Sequence, residues 1–148
     1  MAEGTVQSIE IPASPEFIFE VLADLELYPE WITAMREVEI LERDGEDRPR
    51  RAHFLVDAMI KEIAYDLEYV HEPPFLMSWT AIPGEDIRQM VGSYELRALE
   101  DGETDVVYAL MVEPEFKVPG FLRRQAEKQL IGTALRGLKR RVEELSSG

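Results

Sequence analysis

Residues 120–145 contain no proline, and apolar or small residues recur there at Leu122, Ala126, Leu130, Thr133, Ala134, Gly137, Leu138, Val142 and Leu145. That spacing predicts one long helix, roughly 40 Å from end to end at the standard rise. Residues 35–115 instead alternate with a period of two, the mark of strands. A single long helix has to bury its stripe against a second layer, and the strands are the only layer this chain supplies. The expectation is an α+β domain in which the helix lies on an antiparallel sheet, with the function in the gap between them. The small side chains at Ala126, Thr133, Ala134 and Gly137 are expected on its inner face, where they either admit a close backbone approach or leave a void.

The rest of the chain fits this scheme. Thr5 to Ile11 reads as a strand. Ser14 then offers an N-cap, Pro15 a first helical position and Glu16 an acidic first turn. That helix should run to about Ala23 and bury Ile18, Val21 and Leu22. Asp24 should cap a shorter helical piece reaching Trp31, with Pro29 keeping the two pieces apart. Six strands follow from Met35. Turns are expected at Asp44-Gly45-Glu46-Asp47, Lys61-Glu62, Pro83-Gly84 and Asp101-Gly102-Glu103, and a break at Glu72-Pro73-Pro74. The inward faces should carry Ala52, Phe54, Val56, Ala58 and Ile60, then Tyr65, Leu67 and Tyr69, then Met77, Trp79 and Ala81. Met90, Gly92, Tyr94 and Leu96, and finally Val106, Tyr108, Leu110 and Val112, complete the set. The element order is β-α-α, six strands, α. No repeat or linker divides residues 1–148, so one domain is expected.

Composition closes several routes. Without cysteine there are no disulfides and no thiolate chemistry, and His53 and His71 are too far apart for a helical zinc motif, so no metal and no cofactor is expected. Residues 1–118 carry 9 basic and 27 acidic side chains, residues 119–148 carry 7 and 3. An acidic body argues against nucleic acid. The basic helix offsets that body and suits its own C-terminal dipole, or offers a docking surface to an acidic partner or anionic membrane. No run reaches the ~20 apolar residues of a membrane span, and Met-Ala-Glu-Gly-Thr has no signal-peptide character. A soluble, cytoplasmic protein without stable membrane insertion is expected; composition leaves its oligomeric state open.

Five stretches carry a family resemblance. They are Ile11-Pro12-Ala13-Ser14-Pro15, Asp24-Leu25-Glu26-Leu27-Tyr28-Pro29-Glu30-Trp31, Gly92-Ser93-Tyr94-Glu95-Leu96, Gly102-Glu103-Thr104-Asp105-Val106 and Val118-Pro119-Gly120-Phe121-Leu122. In this order, over essentially the whole chain, they resemble the START-like (SRPBCC) superfamily, and within it bacterial polyketide cyclase/dehydrase-type and coenzyme Q-binding-protein-like members. The resemblance implies a helix-grip fold, a curved seven-stranded antiparallel sheet around the long C-terminal helix. It also implies a cavity between the two, bounded by the short helices and the loops near 61–63, 82–87 and 114–119. Its members include lipid and sterol carriers and aromatase/cyclases, so the resemblance fixes no single activity.

The candidate lining is Trp31, Phe54, Tyr65, Met77, Trp79, Arg88, Met90, Tyr94, Tyr108, Phe121, Leu122, Gln125, Ala126 and Leu130. Trp31 and Trp79 either stack on a planar ligand or pack the core. Phenols inside a dry core would need partners, so Tyr65 and Tyr94 are candidates for a wet cavity wall. Arg88, in phase with Met90, Gly92 and Tyr94, either holds a ligand carboxylate or phenolate or pairs with nearby acids. Gln125 and Gln129 either supply amide contacts or are exposed. His71 either enters the pocket or, as the neighbouring Glu72 and prolines favour, ends its strand in solvent; His53 is expected exposed. No nucleophile-base-acid set appears, which leaves Tyr65, Tyr94 and Arg88 as the weak catalytic candidates. Three functions follow: binding or carriage of a hydrophobic small molecule (lipid, quinone-like or aromatic polyketide-like), a polyketide aromatase/cyclase or dehydrase using cavity tyrosine or arginine, or a protein-interaction module with an incidental cavity.

Overall fold

The computed structural model describes residues 4–57 and 61–147; the inward positions expected at Ala58 and Ile60 lie outside them. In order come β1 (Thr5–Ile11), α1 (Pro15–Ala23), a 3-10 turn (Leu25–Leu27), α2 (Tyr28–Trp31), β2 (Met35–Arg43), β3 (Pro49–Asp57), β4 (Glu62–Glu72), β5 (Leu76–Ile82), β6 (Ile87–Ala98), β7 (Thr104–Pro114) and α3 (Gly120–Ser147). One seven-stranded sheet has the order β1-β7-β6-β5-β4-β3-β2, with every neighbouring pair antiparallel. The meander from β2 to β7 brings the last strand back beside the first. This is the helix-grip architecture read from the sequence.

Local chemistry sets the element ends. Ser14 Oγ accepts from the Phe17 amide at 3.2 Å, and Pro15 opens α1. The cap expected from Asp24 is not made: its side chain takes no capping hydrogen bond. The short helices are tied instead by Tyr28, whose hydroxyl donates to the Leu22 carbonyl at the end of α1. In the β2–β3 turn the Asp44 carboxylate accepts from the Glu46 and Arg48 amides, and Asp47, not Gly45, takes the positive φ.

The long helix lies where the sequence puts it, and Ala134, Gly137, Leu138 and Val142 of the predicted stripe are buried, but the first half of the stripe and Leu145 are not. Its buried residues include Ile131, Ala134, Leu135, Leu138 and Val142, together with Glu127 at 1% exposure. Leu122, Leu130 and Leu145, assigned to the inner stripe, are 47%, 38% and 48% exposed, and Ala126 is exposed as well. The reason is the partner. α3 packs over β1 and β7 at one side of the sheet, where the Thr5 hydroxyl and the Val112 amide both donate to the Glu127 carboxylate. The small residues also do other work than leaving a void. Gly137 lies so close to α2 that a Cβ would overlap the Trp31 carbonyl oxygen.

Candidate functional site

The core face of the sheet carries a continuous band of aromatic rings across five neighbouring strands. Phe54 on β3 stacks on Tyr65 of β4 with centroids 5.4 Å apart and planes at 19°. Tyr69, two turns of the pleat along β4, reaches Trp79 on β5 at 5.7 Å. Trp79 in turn meets Tyr94 on β6 at 5.5 Å and Tyr108 on β7 at 5.7 Å. Tyr94 and Tyr108 close the band at 4.4 Å. Such pairs follow directly from the register, because Phe54 faces Tyr65, Tyr69 faces Trp79 and Tyr94 faces Tyr108 across the strands. Gly92 is the exception that makes the band possible. It sits opposite Trp79, and a Cβ there would run into the indole, so only glycine lets the ring lie across β6.

Burial pushes the phenols of Tyr28, Tyr65, Tyr69, Tyr94 and Tyr108 up from their ordinary value. The contact between Tyr94 and Tyr108 pushes Tyr94 further up and draws Tyr108 part of the way back. These groups are therefore neutral throughout the physiological range. They are hydrogen-bond donors, not bases. Tyr69 and Tyr94 are buried, whereas Tyr65 and Tyr108 keep part of their accessible surface.

Of the residues proposed from sequence, Phe54, Tyr65, Met77, Trp79, Met90, Tyr94 and Tyr108 face the core side, at 0% exposure for Met77 and 7% for Met90. Arg88 does not join them. The register slips between Ile87 and Gln89, which turns Ile87 inward and leaves Arg88 outside, paired with Glu113 at 3.7 Å and Glu115 at 3.2 Å. Arg88 thus takes the ion-pair role instead of the ligand role. Trp31 is buried but stands apart from the band, edge-on to Tyr28 at 5.1 Å. Phe121 is 64% exposed and Leu122 47%; Gln125, Ala126, Gln129 and Leu130 are exposed too. The first turns of α3 therefore do not press these side chains onto the sheet.

Both histidines depart from a simple solvent position. His53 Nδ1 lies 2.5 Å from Asp66 Oδ1 on the neighbouring strand, and the ring stays half-exposed. His71 is not a solvent-facing strand end. Its ring stacks on Tyr69 at 11° and 5.8 Å, Phe19 meets it edge-on, Nε2 contacts the Pro49 carbonyl at 2.6 Å, and Nδ1 is buried without a partner among the described residues. Tyr28 and Glu127 were not singled out from sequence. Burial, and after it Tyr108, pushes the Tyr28 phenol up, and nothing in a Tyr-Pro-Glu-Trp stretch signals that enclosure. Two grooves of about 210 and 250 Å³ lie beside α1, the first over Phe17, Val21, Leu27, Trp31 and Leu145, the second over Phe19, Pro73 and Pro74. Neither is lined by a tyrosine of the band. Among the described residues no acidic or histidine cluster suited to a metal occurs, and no helix is long and apolar enough to cross a membrane.

Solved structures share this architecture. A START superfamily protein from Mycobacterium smegmatis aligns with a TM-score of 0.88 at 21% identity, over 96% of this chain and 98% of that one. The Zhui aromatase/cyclase from a Streptomyces species gives 0.83 at 15% identity, over 97% and 94%. A protein from Thermus thermophilus gives 0.81 at 23%, over 97% and 99%. At these identities the likeness is one of fold. No curated protein matches the sequence significantly. The model of one family, described as polyketide cyclase / dehydrase and lipid transport, matches residues 11–139. With that match spanning most of its length, the chain belongs to the polyketide cyclase/dehydrase and lipid transport family.

Proposed function

We propose that the chain binds a hydrophobic small molecule with aromatic and keto or hydroxyl groups against the tyrosine band, and holds it without chemical change. One observation carries this reading. Tyr65 and Tyr108 are enclosed enough for burial to push their phenols up, yet both keep accessible surface. Residual surface on phenols that are otherwise enclosed is what the wall of a ligand site would show, and it supports the reading. The rings supply an apolar, stackable surface, and the neutral hydroxyls supply donors for a few carbonyl oxygens. The description of the family, cyclase/dehydrase and lipid transport, spans both carriage and turnover. Carriage is favoured by the chemistry of the wall. Raised phenols are poor proton acceptors, and the imidazole nearest the band, His71, has Nε2 engaged and Nδ1 shut away.

The test compares two fluorescent ligands, a hydroxy-anthraquinone and N-phenyl-1-naphthylamine, which lacks a carbonyl. Tyr65→Phe should weaken the anthraquinone about fivefold to tenfold, the worth of one hydrogen bond, and leave the naphthylamine unchanged. Equal effects on both ligands, or binding of neither, would overturn the reading.

A further inference from the structure

We propose that the aromatic band selects uncharged ligands: a ketone, quinone or alcohol group is accepted against it, and a carboxylate, as on a fatty acid or other organic acid, is excluded until it takes up a proton. This selection rests on the binding reading above and narrows its ligand class.

The donors are the first observation. Tyr65 and Tyr69 on β4, Tyr94 on β6 and Tyr108 on β7 bring four phenols to the core face of the sheet. The fifth phenol, Tyr28, already donates to the Leu22 carbonyl. Among the described residues, the buried side-chain nitrogen and oxygen atoms without a partner are Arg51 Nε and His71 Nδ1. The hydroxyls of Tyr65 and Tyr69 are not of that kind, and neither bonds to a protein group among the described residues. Both therefore touch open space, where they can donate to a ligand oxygen.

The second observation is where the cations stand. The 16 Lys and Arg side chains all belong to described residues, and none is buried. Three lie near the end of the wall where β4 and β6 begin and β7 ends, and all three are engaged. Lys61 pairs with Asp86 at 3.1 Å, Arg88 with Glu113 and Glu115, and Arg123 Nη1 donates to the Val112 carbonyl at 3.3 Å. The phenols register the same arrangement. Burial pushes all five up; besides burial, they act on one another, and Asp24 acts on Tyr28, but no cation draws any of them down.

The two observations together set the selection. A neutral carbonyl sheds little hydration on entering and gains hydroxyl donors. A carboxylate sheds a strong hydration shell and meets neutral dipoles in place of a cation, which does not offset the loss of water. The net charge of −14 adds repulsion on the approach.

Competition against the bound hydroxy-anthraquinone tests this, with 2-acetylnaphthalene and 2-naphthoic acid as probes that share a ring system and differ in the attached group. Fluorescence reads displacement from the band between about pH 5.5 and about pH 7.5, above the ordinary carboxyl range. The uncharged fraction of the acid falls about tenfold per pH unit there, so its apparent dissociation constant should rise about tenfold per unit. The constant for the ketone should stay level, and it reports any change in the protein itself, His71 included. Near the upper end of the range the ketone should displace the dye at a concentration at least about a hundredfold lower than the acid. A level series for the acid, or equal displacement by both probes at the upper end, would overturn the selection and leave the binding reading intact. Failure of the hydroxy-anthraquinone to bind at all would overturn the binding reading, and the selection with it.

Discussion

Replacement of Trp79 by alanine should lower the unfolding free energy by about 3–5 kcal/mol and abolish uptake of both fluorescent ligands. The indole is 6% exposed and touches Tyr69, Tyr94 and Tyr108 at once. No other ring in the band bridges β4, β6 and β7. Its removal also bares Gly92, the residue over which it lies, so the cavity left behind has a backbone floor that cannot collapse onto it. Aromatic pairs add about 0.5–1.5 kcal/mol each beyond their buried area, which places this site toward the upper end of the range. Urea unfolding followed by circular dichroism measures the first effect and ligand fluorescence the second. A loss below about 1 kcal/mol would show that the band relaxes around the gap.

The second large effect is expected at Gly137. Alanine is ordinarily worth about 1 kcal/mol more than glycine inside a helix, so a propensity argument alone predicts stabilisation. Here the added Cβ would overlap the carbonyl oxygen of Trp31, a backbone atom that cannot rotate aside. Overpacking of this kind costs about 1–3 kcal/mol, and the clash outweighs the propensity. Gly132→Ala is the matched control. Its Cβ would meet the Arg136 guanidinium at 3.0 Å and the Gln7 amide oxygen at 3.6 Å, both at the ends of long flexible side chains. Thermal unfolding should therefore show Gly137→Ala destabilised and Gly132→Ala neutral or stabilised. The same response at both sites would mean that α2 yields to α3.

These two glycines mark what the sequence conveys and what it hides. Spacing reveals that 120–145 is a helix, and Ser14-Pro15, Pro114 and Asp101-Gly102 mark ends and turns that the structure keeps. The order of elements and the inward positions of Phe54, Tyr65, Trp79, Tyr94 and Tyr108 were legible for the same reason, since a period of two leaves little freedom in a long antiparallel meander. Phase on the helix was legible in part. Ala134, Gly137, Leu138 and Val142 of the predicted stripe are buried, but in the first half Leu122, Ala126 and Leu130 are exposed, and Ile131 and Leu135 are buried without having been placed in the stripe; that choice depends on what the helix packs against, a tertiary fact. Arg88 was misplaced because a single irregularity in β6 reverses the inside-outside pattern on one side of it. His71 was misplaced because its neighbours in sequence, Glu72 and two prolines, are exposed or half-exposed while its neighbours in space, Phe19 and Tyr69, are buried. Glu127 carried no signal, being one more acid in a chain with 30 of them.

Binding of a hydrophobic molecule between sheet and helix is the central claim, and native mass spectrometry of freshly purified protein tests it most directly. The expected result is a second charge-state series, heavier by the mass of one small lipophilic molecule, that disappears on organic extraction and returns on addition of the extract. In Trp79→Ala that heavier series should be missing. A single series at the bare chain mass, unchanged after incubation with hydroxy-anthraquinones, quinones and lipids, would contradict the claim.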